Sequence, residues 1–215
     1  MTALFRSEKK CGCCGKKVQV TEIGSTNAFG SCDLDLRPPE MQRSAMFYGM
    51  HYCPYCGYAS WELEEKIELS GELQEILSEK TDLENYIHRF ERAAKIAELK
   101  GAGEDEVNWL YLCAAWCADD QNDQAKAKSL RQKILGNTAL DAEKEPERLL
   151  QLVDIARRAE GKETAEKLLA CLSRQKLEPL LKQIAQFQKH LLAQNDTGAY
   201  TVEDTEKPAP DPSDK

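Results

Sequence analysis

At 215 residues, with 41% hydrophobic and 31% charged residues, the chain is long enough to bury a core and falls in the range of one domain or two small ones. Its formal net charge is −8, but residues 1 to 60 hold seven Lys/Arg against five Asp/Glu, so residues 61 to 215 carry about −10 and repel a phosphate backbone. No apolar run approaches the roughly 18 to 20 residues that span a bilayer, and "MTALFRSEKK" lacks the apolar stretch of a secretion signal, so no membrane role and a cytoplasmic location are expected.

The first element is "CGCCG", and its counterpart "CPYCG" follows far downstream; both are Cys-x-x-Cys-Gly, at Cys11, Cys14, Gly15 and Cys53, Cys56, Gly57. This spacing lets one tight turn aim two sulfurs at one ion, and a glycine after the second cysteine takes positive φ at little cost. Nine cysteines is an odd number in a long chain without an export signal, which favours metal binding and buried thiols over disulfides. Two knuckles at the ends of short strands predict a zinc ribbon, with Cys11, Cys14, Cys53 and Cys56 holding a closed, structural Zn²⁺. The 38 residues between Cys14 and Cys53 exceed the usual spacing of about 15 to 20.

"KKVQVTEIG" and "AMFYGMHYC" read as the short strands. Between them "STNAFGSCDLDLRPPEMQRS" is turn-rich, and Pro38 and Pro39 forbid a regular helix or ladder. Here Asp33, Asp35, Arg37, Glu40 and Arg43 surround a stiff Pro-Pro unit. They read as a solvated loop, as a contact surface held by the clasp below, or as carboxylates for a second metal. Cys13, Cys32 and His51 are further candidates for the metal site; a spare thiol or strand residue is the plainer reading of each.

From a boundary near Ala59, residues 60–194 carry six or seven helices. Apolar stripes recur at helical spacing: Ile87, Phe90, Ala94 and Ala97; Val107, Leu110, Tyr111 and Ala114; Leu149, Leu152, Ile155 and Ala159. Thr81 or Asp82 is expected to cap "LENYIHRF". "VNWLYLCAAWCA" is apolar nearly all round and should be central, with Cys113 and Cys117 as core packing. "LVDIARRAEGKETAEKLLACL" followed by Pro179 has the pattern of one tetratricopeptide unit. Residues 195–215 hold three prolines and six acidic residues, and are expected to form a disordered acidic tail. The fold class expected is mainly α: a zinc-ribbon domain with its Pro-rich loop over 1–59, a helical-repeat domain over 60–194, then the tail.

"CGCCG", "FGSCDLDLRPPEMQRSAM", "CPYCGYAS" and "CAAWCADD" together resemble the bacterial domain-of-unknown-function family numbered twenty-two twenty-five. The resemblance covers most of the chain outside the tail. It implies a zinc ribbon joined to tetratricopeptide-like helices, with Cys11, Cys14, Cys53 and Cys56 as ligands, and no established activity. The chain departs from that pattern at Gly12 and Cys32, where the family has proline.

No phosphate loop, nucleophile elbow or His-Glu-x-x-His is present, and His88 and His190 stand alone on helices. The function expected is therefore a non-enzymatic, zinc-binding interaction module with a helical groove for a protein or peptide. The alternatives are nucleic-acid binding through Lys9, Lys10, Lys16 and Lys17 around the first knuckle, and a thiol-based redox sensor.

Overall fold

A computed structural model describes residues 1–139 and 145–207. Within them lie four strands and eight helices: β1 (Ala3–Lys10), β2 (Lys17–Ser25), α1 (Gln42–Ala45), β3 (His51–Tyr52), β4 (Ala59–Ser60), α2 (Gly71–Ser78), α3 (Tyr86–Leu99), α4 (Glu104–Asp120), α5 (Gln124–Asn137), α6 (Pro146–Arg158), α7 (Lys162–Leu172) and α8 (Pro179–Ala193). The chain is mainly α, with its strands in the front part, as expected. Two compact units emerge: residues 1–28 with 41–130, and residues 29–40 with 131–215, of which the last described is Lys207.

The first unit contains two antiparallel hairpins, β1–β2 with Lys10 opposite Lys17, and β3–β4 with Tyr52 opposite Ala59. β1 was not foreseen, because "ALFRSEKK" has no clean alternation of apolar and polar residues. Its side chains are mostly exposed, whereas Val18 and Val20 of β2 point into the core. That core joins Cys11, Cys53, Tyr58 and Leu63 to Leu73 of α2 and Ile96 of α3. Most of the stretch expected as the second strand turns into helix instead, over Gln42–Gly49, leaving only His51–Tyr52 extended.

α3 and α4 pack as a helical hairpin around Gly101, whose φ is 72°. Ala94, Ala114, Ala115 and Ala118 are fully buried, small enough for the backbones to come close. α4 is buried over nearly its whole length, as its composition implied. The cap of α3 is Asn85, whose side chain accepts from the N–H of Ile87. Thr81 and Asp82 are engaged elsewhere: Thr81 accepts from Arg92, and Asp82 accepts the N–H of Glu84.

In the second unit α6 and α7 form another hairpin, with Gly161 at the start of α7. Pro146 and Pro179 open α6 and α8, where a missing N–H costs nothing. Leu149, Leu152 and Ile155 are buried without exception, and Gln188 of α8 donates to the Leu150 carbonyl of α6.

Two expectations are corrected here. The compact units do not divide at residue 59, because the cysteine hairpins share one core with α2 and α3. Nor is the segment 195–207 disordered, although much of it lacks regular secondary structure. The Val202 N–H donates to the Cys32 carbonyl, the Leu34 N–H donates to the Tyr200 carbonyl, and Tyr200 meets Phe187 edge-on at 5.4 Å. Arg157, buried in α6, donates to the carbonyls of Asp196 and Gly198. Backbone pairing and one buried arginine hold this segment where its composition predicted disorder. The remainder of the expected tail, 208–215, lies outside the described residues.

Candidate metal centre

The two knuckles are built alike, position for position. In the first, the Cys11 N–H donates to the Lys16 carbonyl at 2.9 Å and the Gly15 N–H to the Cys11 carbonyl at 2.8 Å; in the second, Cys53 donates to Tyr58 and Gly57 to Cys53, both at 2.8 Å. Gly15 and Gly57 sit at φ 74° and 76°, a conformation that a side chain resists. The turn delivers backbone N–H groups to the sulfurs: that of Lys16 to Cys14, those of Tyr55 and Cys56 to Cys53, and that of Tyr58 to Cys56.

The hairpins bring Cys11, Cys14, Cys53 and Cys56 together, with all four sulfurs within 4.8 Å of one another. Cys11 lies 3.8 Å from Cys56, and Cys14 lies 3.6 Å from Cys53. Burial pushes the Cys56 thiol well up and raises that of Cys53, against the help of those N–H groups. For Cys14 burial acts the same way, but the Lys16 N–H and the neighbouring sulfurs outweigh it and bring the thiol below its ordinary value. Four thiolates this close repel one another, and a cation among them removes that penalty. The set can therefore hold one metal ion, as its spacing predicted.

The other groups weighed for the site stand apart from the four. Cys13 lies beside Cys56 and burial raises its thiol, yet it is outside the cluster. His51 is buried in β3, and burial holds its pKa below the usual histidine value. Cys32 belongs to the second unit, beside Val202.

The expected interaction loop divides. Asp33, Asp35 and Arg37 are buried and offer no surface, while Glu40 is exposed and Arg43 half-buried. Asp35 is wholly enclosed, 2.9 Å from Arg158 and 3.7 Å from Arg131, and its carbonyl accepts from Gln151 at 2.9 Å. It locks the loop into its unit and corrects the reading of these three residues as a contact face. Of the four lysines around the first knuckle, Lys9 pairs with Glu22, Lys17 pairs with Glu8, and Lys16 lies over the exposed Tyr55 ring.

Two residues that support the centre were missed. Arg92 of α3 donates to the carbonyls of Gly57 and Glu79, and Arg89 donates to those of Met50 and Leu83. Arg89 also stacks on Tyr52 and Tyr86. The signal lay in "HRFER", where two arginines three apart interrupt an apolar stripe; arginines there need buried acceptors.

No family model, no curated protein and no solved structure matches the chain. Among the described residues no helix is long and apolar enough to cross a membrane.

Proposed function

We propose that the four cysteines bind one Zn²⁺ in a closed tetrahedral site, that the hairpins form a zinc ribbon, and that the chain is a non-enzymatic interaction module. The observation that carries this reading is the sulfur spacing. Zinc–sulfur bonds of about 2.3 Å make a tetrahedron with edges of about 3.8 Å; the cross-knuckle pairs Cys11–Cys56 and Cys14–Cys53 stand at 3.8 and 3.6 Å, and all four sulfurs lie within 4.8 Å of one another. A multi-iron cluster places inorganic sulfides between the cysteines and needs wider spacing. Four protein sulfurs leave no open position for water or substrate, so the ion folds the site and does not react in it. The helical hairpins α3–α4 and α6–α7 are the tetratricopeptide-like part of the module. The departure at Gly12 from the resembled family has a local cause: its N–H donates to the Leu63 carbonyl at 2.8 Å, which proline could not do.

Elemental analysis of protein purified without added metal tests the proposal. One zinc per chain is expected. Serine at any of Cys11, Cys14, Cys53 or Cys56 should lower zinc affinity by more than about a hundredfold, while Cys13→Ser keeps it. Iron in place of zinc, or full zinc retention after a knuckle substitution, would sink the reading.

A further inference from the structure

Resting on the interaction-module reading, we propose that the cleft between α7 and α8 is a docking groove for an acidic amphipathic helix. The cleft encloses about 860 Å³ and is open to solvent along one side. Its floor is apolar: Leu172 and Leu192 are buried beneath it, and Leu169 and Leu177 reach it half-exposed. Ala170, Ala185 and Ala193 supply lining without bulk, which lets a second backbone come close.

The rim identifies the occupant. Lys162, Lys182 and Lys189 border the cleft against one carboxylate, Glu166, in a chain that holds 37 acidic and 29 basic side chains. The local excess of positive charge runs against the composition of the whole chain. Lysine stems extend the apolar wall while their ammonium groups face outward, where glutamates flanking a leucine stripe would meet them.

The walls favour a helix over a strand or a small molecule. Both are helices, of 11 and 15 residues, or roughly 16 and 22 Å at 1.5 Å per residue. The lining residues include no sheet edge that could take an added strand. Sites for small ligands enclose most of the ligand surface, whereas this cleft is only about half enclosed.

The test uses the full chain and fluorescence anisotropy. The probe is a labelled synthetic helix of about 14 residues, roughly 21 Å long, with leucines at i, i+3, i+4 and i+7 and glutamates beside them. A control peptide carries lysine in place of glutamate. The glutamate peptide should bind about tenfold tighter than the control and weaken as salt is raised. Leu169→Lys should abolish binding with the helical circular dichroism unchanged, and K182E/K189E should invert the preference between the peptides. Equal binding of both peptides, or none at millimolar concentration, overturns the groove. Zinc is measured in the same sample: one zinc per chain without peptide binding sinks the groove alone, and binding without zinc sinks the metal reading alone.

Discussion

At the scale of single residues, the glycines of the first knuckle are not equivalent. A Cβ on Gly12 would stand 1.8 Å from the backbone oxygen of Glu65, an approach that only movement of the main chain can relieve. Gly15 has no neighbour closer than 3.9 Å, so its cost is conformational, set by φ of 74°. Gly15→Ala should therefore lose about 1 kcal/mol, and Gly12→Ala about 3 kcal/mol, as over-packing against rigid backbone does. Chemical denaturation of the metal-loaded protein checks the order, and an equal loss at the two positions would contradict it. The cysteines were legible in the sequence because metal ligands need fixed types at fixed spacing. Gly12 and the contact of Arg92 with the second knuckle were not, because each depends on a position distant in the chain: Gly12 meets Glu65, and Arg92 reaches Gly57, 35 positions away.

At the scale of elements, apolar periodicity was enough to place the helices, since each had a face to bury, and all three stripes named from it are buried in α3, α4 and α6. It could not place β1, which buries almost nothing, or the segment 195–207, whose order comes from backbone pairing with residues 32–34 and from Arg157. Ending the chain at Asn195 would strip the Arg157 guanidinium of two carbonyl acceptors while keeping its ion pair with Asp154 at 2.6 Å. The second unit should lose about 3 kcal/mol or more, as when a buried charge loses its partners, measured by urea unfolding. The same segment should respond to acid through Asp204. The Thr201 N–H and hydroxyl and Lys207 hold its carboxyl below its ordinary value of 3.8, against a smaller opposing effect of burial. A depressed folded pKa gives stability that is complete above the unfolded value and fades as pH falls through the folded one. Loosening is therefore expected below about pH 4. Carbon-13 titration of the Asp204 carboxyl checks it; a midpoint at or above the ordinary value would refute it.

At the scale of the whole molecule, one acidic side chain helps to fasten residues 29–40 to the second unit. Asp35 is fully enclosed, and its partners Arg131 and Arg158 are 2% and 7% exposed. Asp35→Ala should cost about 3 kcal/mol by removing the enclosed carboxylate that Arg131 and Arg158 both approach, read as a fall in the unfolding midpoint of the second unit. A fragment beginning at residue 60 would lack Asp35 altogether and should unfold more readily than the same unit in the full chain; equal stability would argue against the clamp. This arrangement also sets an order of events during synthesis. Asp35 leaves the ribosome 123 positions ahead of Arg158. At 5 to 20 residues per second its loop stays without that partner for roughly 6 to 25 s. Over that interval a nascent chain offers residues 29–40 to chaperones and proteases; completion of α6 supplies the partner of Asp35, and synthesis of residues 200–202 then pairs the backbone of residues 32–34.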